Sequence, residues 1–288
     1  MATTLDDPGT TPLDEALDAL RGWQQDGTPL QLHPGDVGWK TRVGIDATTA
    51  LLRTWRDDGR IVALGMLDAP DLLRLAVAPS SQHDDAVARQ ILADLAEPER
   101  GVIPSGAASL ETANGTVIRE LALRDRWAPG ESWTPLRRDL AAPVSDPGVR
   151  VAVVGPDDLH DRVAVHRASF PGSTFSGENW RSMAASTAYG DARCLVAYDG
   201  GAPVAAATVW SAGEGRPGLL EPVGVHHEQR RHGYGRAISL AAARTLRELG
   251  ASSALVCTPT SNAAAVATYE SAGFVPEELR LDATRRGA

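Results

Sequence analysis

The chain has 288 residues, 43% of them hydrophobic and 23% charged, a composition that builds cores and a length that fits two domains of ordinary size. A formal net charge of −9 argues against nucleic acid as the main partner, since neutralising phosphates needs a positive footprint. Acidity of this kind suits a cationic amine ligand, or serves plain solubility.

In chain order, helical patterns cover 13–23 and 47–55, strand patterns 61–67 and 72–77, and a helical pattern 84–95. A strand at 107–112, a helix at 114–123 and a strand at 133–140 complete the first half. The Pro, Gly, Ser and Asp of 142–148 carry no periodicity and read as a linker between domains at 1–141 and 149–288. The second half opens with a strand at 149–154 and helices at 156–168 and 177–185. Strands 194–199 and 204–210 form a hairpin around Gly200-Gly201, followed by a strand at 219–225. A long helix at 233–249 stops at Gly250, a strand covers 253–258, a helix at 262–272 stops at Gly273, and a strand at 278–282 closes the chain.

Two landmarks recur at one offset. Val225 lies 148 residues after Val77 at the end of a comparable strand, and Asn262 lies 148 residues after Asn114 at the start of a comparable helix. A shared offset predicts tandem copies of one fold.

Cys194 and Cys257, the two cysteines, sit in apolar runs without metal-ligand spacing or a disulfide framework. This predicts free thiols and a cytoplasmic setting. The N-terminal stretch is acidic and lacks a secretory pattern, and no apolar run reaches about 18 residues, so no membrane partner is expected. Lys40 is the only lysine amid abundant arginine, a skew that suggests a GC-rich bacterial genome.

The most informative stretch is 219–250, where a strand runs into a glycine-punctuated turn and then a helix. Arg230-Arg231-His232-Gly233-Tyr234-Gly235 reads R-x-x-G-x-G. Gly233 and Gly235 allow open dihedrals and close approach, the first N–H groups of the helix point outward, and Arg230, Arg231 and Arg236 add charge. Together they favour a diphosphate. A Walker A loop is excluded by the missing lysine and hydroxyl, and a Rossmann fingerprint by the missing third glycine. A plain helix start on a basic surface is the remaining alternative. His226, His227 and His232 crowd the loop without a carboxylate at helical spacing, so no metal is expected.

The run from Val225 to Ala237 resembles the acyl-CoA loop of the GNAT acyltransferase superfamily. The segment Asn262, Ala265, Tyr269 and Ala272-Gly273-Phe274 resembles the same superfamily's N-x-x-A-x-x-x-Y-x-x-x-G-F pattern. The resemblance spans about residues 149–282. It implies an α/β class (an α+β mixed sheet) built as two tandem GNAT-like domains, each a twisted mixed β-sheet flanked by helices. It also implies an acyl-CoA co-substrate, most simply acetyl-CoA. The diphosphate would lie on the backbone from Arg231 through Gly233, Tyr234 and Gly235 to Arg236, with Arg230 and His232 beside it. The pantetheine arm would pair with backbone at Val223 and Val225, and strand 253–258 would splay away to admit the thioester. A backbone N–H near Val223 or Gly224 would stabilise the oxyanion, and Asn262 would orient the helix start, bind pantetheine, or both. Tyr269 would be the general acid for the leaving thiolate. Glu221 would be the general base, or a carboxylate that only binds substrate. Alternation puts Glu221, Val223 and Val225 on one strand face.

The expected reaction is acyl transfer to a primary amine of a small molecule or peptide by direct attack. The rival is a catalytically silent CoA-binding sensor or interaction module. The segment 170–182 is expected to border the acceptor, without a signature for its class. In the first half Gln82, Asp85 and Val87 stand where Arg230, Gly233 and Gly235 stand in the second, and Leu121 replaces Tyr269. That predicts a degenerate copy that does not bind cofactor and serves structure, a homodimer contact or the acceptor pocket. The alternative is a diverged domain whose loop serves another ligand.

Overall fold

The computed structural model describes residues 3–287; Met1, Ala2 and Ala288, the ends of the two expected domains, lie outside it. In chain order the elements are β1 (Thr4–Leu5), α1 (Leu13–Trp23), α2 (Pro34–Lys40), α3 (Ile45–Thr49), β2 (Leu52–Asp57), β3 (Arg60–Ala69), β4 (Leu72–Val77), α4 (Asp85–Ala96), β5 (Ala108–Glu111), α5 (Val117–Arg124) and β6 (Ala128–Asp139). They continue as β7 (Arg150–Val153), α6 (Leu159–Ser169), α7 (Gly177–Ala184), β8 (Ala192–Asp199), β9 (Ala202–Trp210), β10 (Gly218–Val225), α8 (Tyr234–Glu248), β11 (Ser253–Pro259), α9 (Ala263–Ser271), β12 (Val275–Pro276) and β13 (Arg280–Arg285). The class is mixed α/β, with helices flanking mixed sheets. No helix of the described residues is long and apolar enough to cross a membrane.

Two compact units divide the chain, at bounds other than the expected 1–141 and 149–288. One holds 1–33, 45–133 and 279–288; the other holds 34–44 and 134–278. The last strand thus belongs with the first half of the sequence, because β13 pairs antiparallel with β5 and with the first part of β6. The short α2 belongs with the second half, because Gly35 and Gly38 lie flat on the indole of Trp210. A Cβ on either would stand about 2.5 Å from that ring. The expected linker, 142–148, carries no helix or strand.

In the first unit the strand order is β1-β2-β3-β4-β5-β13-β6. Its core gathers Trp55, Leu73, Leu75, Ile91 and Leu110. The helix expected at 47–55 is found only over its first residues, within α3, and strand β2 takes over from Leu52. Thr54 and Trp55 pair with Leu64 and Ala63 of β3, so cross-strand packing of two β-formers overrides the helix preference of the preceding Ala and Leu residues.

The second unit's order is β6-β11-β10-β9-β8-β7, with β12 on β6. The hairpin β8–β9 is antiparallel from Ala192↔Trp210 to Asp199↔Ala202 around Gly200 and Gly201. Helix α8 buries Ile238, Leu240, Ala242, Ala243 and Leu246 against Leu195, Ala207, Val209 and Leu220. Small alanines on both surfaces let helix and sheet approach closely, and this packing fixes the N-terminus of α8 beside the end of β10.

Candidate active site

Strands β10 and β11 run parallel but pair only at Gly218↔Ala254 and Leu219↔Leu255. Beyond that point β10 follows β9 alone, through Val223↔Ala207, Gly224↔Ala206 and Val225↔Ala205. The N–H of His226 donates to Val204 O at 2.9 Å. By the period of two, the N–H of Gly224 also faces β9, and those of Val223 and Val225 face the gap that β11 has left. A cleft of about 670 Å³ opens there.

Between Leu220 and Val223 the register with β9 slips by one residue. This bulge corrects the expectation that Glu221, Val223 and Val225 share a face. Leu220 lies in the core and Val223 and Val225 pack against it, so the extra residue takes Glu221 out of the alternation. The Glu221 carbonyl accepts the Trp210 Nε1–H at 2.7 Å, which anchors the bulge to a fully buried indole.

The cleft is lined by Val223, Gly224, Val225, Arg230, Arg231, Gly233, Gly235, Arg236, Asn262 and Tyr269. These are ten of the residues singled out from sequence. The side chains of His232 and Tyr234 and the carboxylate of Glu221 are not in its wall. Tyr234 instead donates to the Asp199 carboxylate and the His232 ring stacks on it at 5.9 Å, so both rings are engaged away from the wall. Gly233 caps α8 in the left-handed region, φ 84°, which glycine adopts without a Cβ penalty. Arg231 shares that region at φ 69°. The reading of Gly235 as a close-approach glycine is incomplete. A Cβ there would meet Thr268 Cγ2 at 2.8 Å, so its smallness also joins α8 to α9. Gly224 acts similarly: a Cβ would stand 2.6 Å from that of Ser169.

Arg230 donates to Ser169 O at 3.2 Å and Arg236 to Ser271 O at 2.9 Å, which fixes both guanidinium groups at the cleft rim. Asn262 caps α9, accepting the Ala265 N–H at 3.2 Å. Tyr269 sits at the floor, 8% exposed, edge-on to Phe274 at 5.9 Å. Burial, then the negative charge of Glu221, then Cys257 hold its phenol well above the usual tyrosine range, so it carries its proton at neutral pH. Sequence reasoning missed Ser169, Thr268 and Ser271 in the wall and expected Phe170 only at the border of the acceptor. Helical periodicity from Ala265 and Tyr269 could have found Thr268; the turn after α6 offered no signal. Among the described residues no group of three or more His, Cys, Asp or Glu side chains is placed to hold a metal ion.

In the first unit β4 and β5 pair in parallel only from Leu72↔Ser109 to Arg74↔Glu111, repeating the divergence of β10 and β11. The crevice between Val77, Gln82, Val87 and Ile118 leaves no volume that a water molecule could occupy. The Asp84 carboxylate caps α4, accepting the N–H of Ala86 at 2.8 Å and of Val87 at 3.3 Å. The donors that would face an anion are therefore taken by the chain's own carboxylate.

A mixed sheet split beside a helix N-terminus, once open with no side-chain cap and once closed with a capping carboxylate, is the tandem fold of GNAT proteins. The chain is similar over its whole length to a GCN5-related N-acetyltransferase from Sphaerobacter thermophilus, at 18% identity and a TM-score of 0.61, covering 99% of this chain and 97% of that one. It is likewise similar to a tandem GNAT protein from the clavulanic acid biosynthesis pathway, at 16% identity and a TM-score of 0.63, covering 99% of each. An acetyltransferase of the GNAT family from Colwellia psychrerythraea matches at 14% identity and a TM-score of 0.63, over 99% of this chain and 100% of that one. No curated protein sequence matches. Residues 162–274 match the model of the acetyltransferase (GNAT) family, and the chain therefore carries a domain of that family. Family and fold together support acyl transfer.

Proposed function

We propose that the chain is an N-acyltransferase that moves an acyl group, most simply acetyl, from acyl-CoA to a primary amine, and that its second unit does the work. The observation that carries this reading is the run of one cleft from the α8 N-terminus to the phenol of Tyr269, along the β10 edge that β11 leaves. Acyl-CoA supplies a thioester, and every other group comes from the chain. The main-chain N–H groups from Arg231 to Arg236 hold the diphosphate, with Arg230, Arg231 and Arg236 adding charge. Val223 and Val225 offer strand-like pairing to the pantetheine amides. The N–H of Val223, which faces the gap, receives the charge that develops on the acyl oxygen; that of Gly224, the other expected donor, is turned toward β9 and drops out. Glu221, whose carboxylate stands outside the cleft wall, takes a proton from the amine through water, and the amine nitrogen bonds to the acyl carbon as the carbon–sulfur bond breaks. Tyr269 gives its proton to the departing sulfur. The first unit, with its filled crevice, is a non-binding structural copy.

Incubation with acetyl-CoA and a panel of amines, with free CoA read by a thiol reagent, tests the reading. Amine-dependent thiol release is expected. Tight CoA binding by calorimetry with no amine raising release above hydrolysis would favour a sensor instead.

A further inference from the structure

The cofactor cleft and a second cavity of about 460 Å³ in the same unit have one wall residue in common, Phe170. Val223 lines the cleft and Pro222, the residue before it on β10, lines the second cavity. The two spaces therefore meet where the free edge of β10, running back from Val225 through Val223, comes to its end.

Phe170 is held there by its backbone and by its ring. Its N–H donates to His166 O at 3.1 Å, and its carbonyl accepts the Ser173 N–H at 3.1 Å. The end of α6 just before it is tied to the cofactor loop, where Arg230 donates to Ser169 O and the His227 Nδ1–H to Ala168 O at 3.1 Å. The ring packs 4.8 Å from that of His166, itself 7% exposed. It also lies on Gly224. Val223 and Val225 pack toward the core shared with α8, so Gly224 between them faces the α6 side of β10. A Cβ there would stand 3.0 Å from Phe170 Cε2 and 2.6 Å from Ser169 Cβ. The absent side chain at 224 is what lets the ring close down on the strand.

We propose that Phe170 restricts the acyl group to short chains, acetyl or propionyl, by closing the passage from the cofactor cleft to the second cavity. The inference rests on the acyl-CoA reading and adds to it the size of the group that is carried. A thioester whose arm pairs along Val225 and Val223 directs its acyl chain toward Pro222, where the ring stands. A short chain stays on the cleft side. A hexanoyl chain has to displace a ring whose backbone is bonded on both sides and whose helix end is tied to the loop, and a packed side chain of that kind does not yield without strain. Without the ring, the second cavity has room for such a chain.

The test separates the ring from turnover by using CoA thioethers, which cannot transfer an acyl group. S-ethyl-CoA and S-hexyl-CoA are titrated by calorimetry into the full chain and into its Phe170→Ala and Phe170→Leu variants. Acetyl-CoA and hexanoyl-CoA are then assayed for amine-dependent thiol release. The unaltered chain is expected to bind S-hexyl-CoA at least tenfold more weakly than S-ethyl-CoA. Phe170→Ala should move that ratio at least tenfold toward the hexyl ligand, since each methylene buried is worth about fourfold, and Phe170→Leu should move it part of the way. Relative kcat/KM for hexanoyl-CoA should rise in the same order. A general loosening of the site weakens both ligands alike and leaves the ratio where it was. Binding of the two thioethers within twofold by the unaltered chain, or a ratio unmoved in a folded Phe170→Ala, overturns the proposal; if that variant does not fold, Phe170→Leu decides by the same ratio. The expected ratios without thiol release from any amine would leave the role of Phe170 standing and remove the acyl-transfer reading. No binding of either thioether would remove both.

Discussion

At the scale of single residues, two buried titratable groups carry opposite consequences. Tyr269 is held protonated by burial and by Glu221, as a donor to a departing sulfur requires. Replacing it by Phe keeps the edge-on contact with Phe274 and removes only the hydroxyl. Tyr269→Phe is expected to lower kcat by about 100-fold or more, the usual contribution of a positioned acid, with CoA affinity within twofold by calorimetry. Lost affinity with intact turnover would remove Tyr269 from the acid role. His166 acts on stability. Its folded value, about 3, lies below the ordinary 6.5, so between these values the unfolded chain binds the extra proton. Its contribution is complete above pH 6.5 and is lost as pH falls toward 3, at up to about 1.4 kcal/mol per pH unit. Denaturant unfolding at pH 7, 6, 5 and 4 should show that slope, and His166→Phe should flatten it; an unchanged slope would show that other groups set the acid limit.

At the scale of elements, the junction of α8 with α9 gives a sharper probe than the glycine motif alone suggests. Gly235→Ala places a methyl 2.8 Å from Thr268 Cγ2, a strain of about 1–3 kcal/mol that outweighs the helix-propensity gain of about 1 kcal/mol. Thr268→Ser removes that Cγ2 while keeping the hydroxyl that donates to Ala264 O. The single variant is expected to lose stability and CoA affinity, and the pair Gly235→Ala, Thr268→Ser to recover most of the stability; additive losses in the double-mutant cycle would refute the contact. Much of this region was legible in the sequence because its signals are local: a strand, glycines at a turn and a helix face repeated by Ala265 and Tyr269. The helix at 13–23 was legible for the same reason. The bulge at 220–223 was not, since it is a relation between β10 and β9. Nor was α2, whose Pro34, Gly35 and Gly38 disfavour helix and which is held by contact with Trp210. A cavity of about 460 Å³ in the second unit was not legible as a whole, because its walls come from distant stretches around Trp39, His166–Asn179 and Pro222; only the middle one overlaps 170–182, the segment expected to border the acceptor.

At the scale of the molecule, the 148-residue offset corresponds to two versions of one split sheet, one with a cleft and one with its crevice filled and its helix capped by Asp84. The copies are not separable by cutting at the linker. The second unit takes α2 from the first half of the sequence, and the first unit takes β13 from the second. The crossing matters beyond connectivity, since Trp39 and Arg42 enter the second unit with α2 and line a cavity of about 460 Å³ there. The contact that brings them is Gly38 on Trp210, where a Cβ would stand 2.4 Å from Cζ3 and 2.8 Å from Cε3. That indole is 1% exposed and holds the Glu221 carbonyl, so it cannot move aside freely. Gly38→Ala must therefore displace α2, at a cost of about 1–3 kcal/mol seen as a lower denaturation midpoint. It should leave the calorimetric affinity for CoA unchanged, because no residue of α2 lines the cofactor cleft. A loss of CoA affinity as well would mean that the displacement passes through Trp210 to the β10 bulge.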